Sequence, residues 1–199
     1  MPFSENEINP PSPYNIANMV TVGRILLVPV FAVLIVVSGM DHLWWQALAC
    51  LVFLIASITD FVDGWLARSR GLVTAFGKLA DPIADKALIG TAVVLLSIYE
   101  LLPWWVTAVI LLREVGITLL RLAVIRRGVI AASHGGKIKT VLQITAIAWY
   151  VFPWPEPFSY LGPWIMGVAV ILTVATGVEY LVRMWLAGRK DSSSAASMT

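Results

Sequence analysis

Recurrent long apolar runs constrain this chain more than any other feature. From Val20 to the region of Ala187 the sequence returns repeatedly to stretches of Leu, Ile, Val, Ala, Phe and Trp, with only short polar interruptions. A helix spans lipid because it satisfies its own backbone N–H and C=O groups within one segment. Roughly 20 residues of helix cross a hydrocarbon core of about 30 Å. Six such segments can be drawn: Val20 to Ser38, Leu43 to Ala67, Lys78 to Tyr99, Pro103 to Ile125, Ile138 to Trp154 and Tyr160 to Ala187. The expected fold is all-α, a polytopic membrane bundle of six transmembrane helices. Composition agrees, since 59% of the 199 residues are hydrophobic and only 13% charged, unlike a water-soluble domain.

Charge placement tests this division independently, because Lys and Arg are retained in cytoplasmic loops. Arg68 and Arg70 fall between the second and third segments, Arg126, Arg127, Lys137 and Lys139 between the fourth and fifth, and Arg189 and Lys190 beyond the sixth. The alternate loops contain no Lys or Arg, and the pairs Trp44–Trp45 and Trp104–Trp105 mark that interface with aromatics. Both termini are therefore expected in the cytoplasm. Residues 1–19 read as a cytoplasmic amino-terminal segment, 20–187 as a single transmembrane domain, and the Ser/Ala-rich residues 188–199 as a disordered cytoplasmic tail. The proline-rich start has no basic segment before an apolar core, which argues against a cleaved signal peptide. Cys50 is the sole cysteine, so no intrachain disulfide forms, and it reads as a small apolar helix residue.

The chemistry lies in DFVDGWLARSRGLVTAFGKLADPIAD, Asp60 to Asp85, where the second segment ends and the third begins. Asp60 and Asp63 are three apart and Asp81 and Asp85 four apart, so each pair shares a helix face. A short connection, roughly Ser69 to Phe76, makes the two helices antiparallel neighbours and brings both pairs to similar depth. Four aspartates this close in a low dielectric need compensating cations. Mg²⁺ is held by a few carboxylates together with substrate phosphates, and two ions about 3.5 to 4 Å apart suit phosphoryl transfer. Gly64 and Ala67 continue the Asp60 stripe, and Gly77 that of Asp81 and Asp85, which leaves room for something bulky beside the backbone. Small residues also serve close helix packing in membranes, but packing does not account for four neighbouring acids.

These residues resemble the signature of the CDP-alcohol phosphatidyltransferases, D-x2-D-G-x2-A-R-x8-G-x3-D-x3-D, matched here at Asp60, Asp63, Gly64, Ala67, Arg68, Gly77, Asp81 and Asp85. The resemblance implies a two-metal centre, Mg²⁺ or Mn²⁺, held by Asp60, Asp63, Asp81 and Asp85, with Asp85 as general base. It implies a cytidine nucleotide pocket formed by Asp63, Gly64, Ala67, Arg68 and Gly77. Asn15 to Pro29 (NIANMVTVGRILLVP), FGKLADPIADK, Arg113–Glu114, Arg121 and GKIKT from Gly136 to Thr140 extend the likeness toward the phosphatidylglycerophosphate synthase branch. That branch would use CDP-diacylglycerol and glycerol 3-phosphate, give phosphatidylglycerophosphate and CMP, and sit in the bacterial cytoplasmic membrane with its site open to the cytoplasm. The family is often dimeric, so a homodimer is expected, with no nucleic-acid partner.

Buried basic residues need anions. Arg113 lies about 18 Å from the cytoplasmic end of its segment at 1.5 Å per residue. Glu114, as its neighbour on the same helix, is expected to face elsewhere, leaving Glu179 or a bound phosphate as partner. Arg113, Arg121, Lys137 and Lys139 are the candidates for the acceptor phosphate, with positive-inside topology or anionic lipid contact the simpler reading of the two lysines. Arg24 is expected to snorkel, and His42 and His134 to lie in loops. The signature addresses the CDP side only, so inositol phosphate, serine or phosphatidylglycerol are alternative acceptors. A divalent-cation transporter would also bury acids, but it has no use for Gly64, Ala67, Arg68 and Gly77 at this spacing.

Overall fold

A computed structural model describes the backbone of residues 16–69, 75–124 and 134–196, and the side chains of 19–60, 83–120 and 138–186. The described elements are six α-helices and one short 3₁₀ turn: α1 (Ile16–Ser38), α2 (Leu43–Ser69), α3 (Ala75–Ile98), α4 (Trp104–Val124), α5 (His134–Val151) and α6 (Leu161–Ala196), the turn being Phe158–Tyr160. Each apolar segment thus folds as the helix its length demands. Among the described residues, three stretches, Met19–Ser38, Leu43–Asp60 and Phe158–Leu186, are long and apolar enough to cross a bilayer.

Two helices start or stop where the composition did not suggest. α6 continues through the Ser/Ala-rich stretch to Ala196, so residues 188–196 are helical where a disordered tail was expected. Extending an established helix is far easier than nucleating one. α5 begins at His134, which places that residue and Lys137 on a helix rather than in a loop. His42 does lie in the connection between α1 and α2.

The chain forms two compact units, Met1–Leu102 with Ile147–Pro155, and Pro103–Ala146 with Glu156–Thr199. In the first, α1 packs against both α2 and α3, which also touch each other. Phe31 of α1 meets Phe53 of α2 with ring centroids 5.5 Å apart, and Ile35, Leu88 and Leu96 fill the remaining space. Ala49, Ala56, Ala84 and Ala92 are also fully buried, small residues that let helices approach closely where lipid supplies no hydrophobic drive. Cys50 is buried among them, its Sγ 3.6 Å from the carbonyl oxygen of Ala148. In the second unit α4 packs against α6.

The outer faces are apolar too. Leu26, Val33 and Val36 of α1 and Ile171, Val178 and Leu181 of α6 are exposed, an arrangement stable against acyl chains and unfavourable against water. This is a membrane protein. Trp44 and Trp45 open α2, and Trp104 and Trp105 open α4, all four exposed, as aromatic residues at a headgroup boundary are. Hydroxyls inside helices bond the preceding turn: Ser57 donates to the Phe53 carbonyl at 2.8 Å and Thr145 to that of Val141 at 2.9 Å, which satisfies them without water. α1 ends at a turn in which Gly39 and Met40 take φ near +60°. Ser38 braces it, accepting from the Met40 N–H at 3.1 Å and donating to the Ile35 carbonyl at 2.7 Å.

Candidate active site

The four signature aspartates fall on the two helices that the spacing requires. Asp60 and Asp63 are on α2, which ends at Ser69, and Asp81 and Asp85 on α3, which starts at Ala75. Counting from those ends, Asp63 and Asp81 are each six residues in, and Asp60 and Asp85 nine and ten. At 1.5 Å per residue this is roughly 9 Å for the inner-numbered pair and about 14 to 15 Å for the outer. The depths match because the two helices enter the short connection with nearly symmetrical lengths beyond the acids. The side chains of Asp63, Ala67, Arg68 and Asp81 lie outside the described residues, as do the surroundings of Gly64 and Gly77, although all six positions are helical. Asp60 and Asp85 are described, both half-buried.

Asp60 has a partner that the sequence did not disclose. The guanidinium of Arg24, on α1, forms an ion pair with Asp60 Oδ1, and the Arg24 side chain is fully buried. The expected snorkelling of Arg24 is therefore corrected. Snorkelling needs a free path to the interface, and α1 instead turns this residue toward α2 and α3, against which it packs. A positive charge buried beside the first signature carboxylate offsets part of the repulsion within the acid cluster.

The second unit contains a separate buried ionic group. Arg113 Nη1 donates to Glu114 Oε1 at 3.1 Å and Nη2 to Thr176 Oγ1 of α6 at 3.0 Å. The ammonium of Lys139, from α5, pairs with the same Glu114 oxygen. Both Glu114 and Lys139 are buried. Three expectations are corrected here. Glu114 does face Arg113, because the long arginine side chain reaches back to its neighbour's carboxylate while also bonding Thr176 on α6. Glu179 is not its partner but pairs with Arg183, one turn along α6, at 2.6 Å. Lys139 is a buried ion-pair residue rather than a surface lysine. The side chains of Arg121 and Lys137 lie outside the described residues.

Comparison with known proteins decides the family. The family model for CDP-alcohol phosphatidyltransferase matches residues 14–175. The chain belongs to that family. Among curated relatives, a probable phosphatidylglycerophosphate synthase of Mycobacterium tuberculosis strain H37Rv is 50% identical over 169 residues, covering 85% of this chain and 81% of the relative. The CDP-diacylglycerol--glycerol-3-phosphate 3-phosphatidyltransferase of Bacillus subtilis strain 168 is 38% identical over 188 residues, 86% of this chain and 96% of the relative. The protein of the same name in Salmonella paratyphi A is 37% identical over 174 residues, 84% and 93% of the two chains.

For this CDP-alcohol phosphatidyltransferase, the ion pairs of two buried charged residues were not legible in the sequence. Arg24 precedes Asp60 by 36 residues, and no local spacing links them. Glu114 did carry a signal, since a carboxylate inside an apolar helix requires a cation. Choosing among Arg113, Lys139 and others required the packing of α4, α5 and α6.

Proposed function

We infer that this enzyme transfers the phosphatidyl group from CDP-diacylglycerol to glycerol 3-phosphate, releasing CMP and phosphatidylglycerophosphate. The observation that carries the reading is the depth-matched pair of aspartates on α2 and α3, in a chain similar over most of its length to proteins named for this reaction. Family membership sets the cation transporter aside, and the relatives' names favour glycerol 3-phosphate over inositol phosphate, serine or phosphatidylglycerol.

The donor set fits divalent metal. Asp60, Asp63, Asp81 and Asp85 offer only hard oxygen ligands, the kind Mg²⁺ and Mn²⁺ take together with phosphate oxygens. Two such ions, when bound, would supply positive charge against the diphosphate of the lipid nucleotide. Gly64, Ala67 and Gly77 leave space beside the helix backbones for the cytidine nucleotide, and Arg68 meets its phosphates. Arg24 holds Asp60 from behind through their ion pair. Asp85 accepts the proton of the primary hydroxyl of glycerol 3-phosphate on a carboxylate oxygen. The hydroxyl oxygen then bonds to the lipid-linked phosphorus as the bond to CMP breaks. Arg113, Arg121, Lys137 and Lys139 receive the acceptor's phosphate, which guanidinium and ammonium groups bind as charged donors.

The topology proposed with this chemistry has six spans, both termini in the cytoplasm, and the site opening to the cytoplasmic side of a bacterial cell membrane, where glycerol 3-phosphate is water-borne. A homodimer is proposed as the working assembly. The test is CMP release by the purified protein from CDP-diacylglycerol and Mg²⁺, with glycerol 3-phosphate, inositol phosphate, serine and phosphatidylglycerol offered in parallel. Release with glycerol 3-phosphate alone, abolished by a chelator and restored by Mg²⁺ or Mn²⁺, is the expected result. Release with another acceptor would keep the acid-cluster chemistry and overturn the acceptor, while chelator-resistant release would overturn the metals.

A further inference from the structure

Arg113 is held from three directions by groups on two helices. Its Nη1 donates to Glu114 on its own helix at 3.1 Å and its Nη2 to Thr176 on α6 at 3.0 Å. Thr176 is itself oriented, because its hydroxyl donates to the Leu172 carbonyl at 2.7 Å and so presents lone pairs to the guanidinium. The third restraint is steric. A Cβ on Gly177 would stand 3.3 Å from Arg113 Cγ and 3.9 Å from its Nε, so the aliphatic stem of Arg113 lies against α6 at Gly177, where an alanine methyl would press on it. Glu114 Oε1 also takes the ammonium of Lys139, which ties the position of the lysine to that of the arginine. Arg113 Nε is buried and meets no hydrogen-bond partner among the described residues, an unused donor on a guanidinium whose other end is fixed.

We propose that Glu114, Thr176 and Gly177 are positioning residues for the acceptor substrate: they hold Arg113, and through Glu114 also Lys139, in one arrangement complementary to a phosphate monoester. The proposal rests on the reading that these cations receive the acceptor's phosphate, and it assigns the groups that make them selective. A flexible arginine would bind a phosphate loosely and spend rotamer freedom on each encounter, whereas a fixed guanidinium has already lost it. A mere staple between helices predicts instead a loss of stability that affects both substrates alike when one partner is removed.

The test uses the full-length enzyme in detergent or nanodiscs, with KM for glycerol 3-phosphate and for CDP-diacylglycerol measured separately by CMP release. Gly177→Ala keeps every charge and presses only on the arginine stem, and Thr176→Val removes only the hydroxyl. Each is expected to raise KM for glycerol 3-phosphate by about 5- to 30-fold, Thr176→Val by removing one hydrogen bond to the guanidinium and Gly177→Ala by displacing its stem, with KM for CDP-diacylglycerol changed less than about twofold. Glu114→Gln is expected to raise the acceptor KM further, because it weakens the carboxylate contact that Arg113 and Lys139 share. In an Arg113→Ala background, Gly177→Ala is expected to add nothing, since its target is gone. An unchanged acceptor KM in Gly177→Ala and Thr176→Val, an equal rise in both KM values, or additivity with Arg113→Ala would overturn the positioning role. The underlying reading fails differently: Arg113→Ala itself would then leave the acceptor KM unchanged. A lower acceptor KM in Glu114→Gln would also overturn the proposal, since the carboxylate would then compete with the phosphate rather than place its receptors.

Discussion

Single residues in this enzyme divide by whether their charge does chemistry or supports a charge that does. Under the proposed function all four aspartates hold metal, and Asp85 alone also takes the proton. Asp85→Asn is therefore expected to retain nucleotide and Mn²⁺ binding, measured by calorimetry, better than Asp60→Asn or Asp81→Asn does, while turnover falls about 10²- to 10⁴-fold, as loss of a general base does. Asp60→Asn and Asp81→Asn are expected to lose both, and equal loss of binding in all three would remove Asp85 from the role of base. Arg24 and Arg183 make a second contrast. The side chain of Arg24 is 0% exposed against an Asp60 that is 32% exposed, whereas Arg183 and Glu179 are 57% and 41% exposed. Replacing Arg24 by Met is expected to lower stability by about 1 to 3 kcal/mol, less than a wholly buried pair because Asp60 still meets solvent or headgroups. Arg183→Met is expected to change it by less than about 1 kcal/mol. Thermal unfolding in one detergent would compare them, and equal shifts would show that burial does not govern the Arg24 pair. The placing of the aspartates on α2 and α3 was legible in the sequence because helix period alone fixes their spacing. The pairing of Arg24 and Glu114 was not, because a partner on another helix depends on which faces pack.

At the level of elements, α2 and α3 act as two rulers joined at one end. Their acids match in depth because the helices run nearly equal distances past Asp63 and Asp81, so the register of the hairpin is part of the site. One alanine inserted between Asp81 and Asp85 rotates Asp85 by about 100° and carries it off the shared face. Activity is expected to vanish. The same alanine inserted after Ser97, beyond the acids and at the end of α3, is expected to leave CMP release within about threefold of the parent, because it disturbs neither spacing nor depth. Loss in both insertions would show that α3 tolerates no change of length, and loss in neither would show that the acids do not act as a register-dependent set. Helix identity was legible throughout, since apolar length dictates it. The ends were less so: α5 starts at His134 and α6 continues to Ala196, and a helix already formed extends through polar residues that would not nucleate one.

As a whole molecule the chain is apolar both inside and out, which only a bilayer makes stable, and its orientation there is the topology prediction that remains to be measured. Cys50 is the sole cysteine and is buried, so a Cys50→Ala background accepts single reporter cysteines cleanly. A cysteine replacing Ser193 is expected to react with an impermeant maleimide only after the cells are opened, and one replacing Asp41 to react in intact spheroplasts. The reverse pattern would invert the proposed orientation. By itself the sequence determined the helical membrane fold, the spacing of the four aspartates and their common depth, because each follows from the rise and period of a helix and from the thickness of lipid. Only the tertiary structure decided that Arg24 supports Asp60, and that Arg113, Glu114, Lys139 and Thr176 form one buried group. All of those pairings except Arg113 with Glu114 join residues from different helices, and which charge meets which is set by the faces that pack together, a choice that no local spacing encodes.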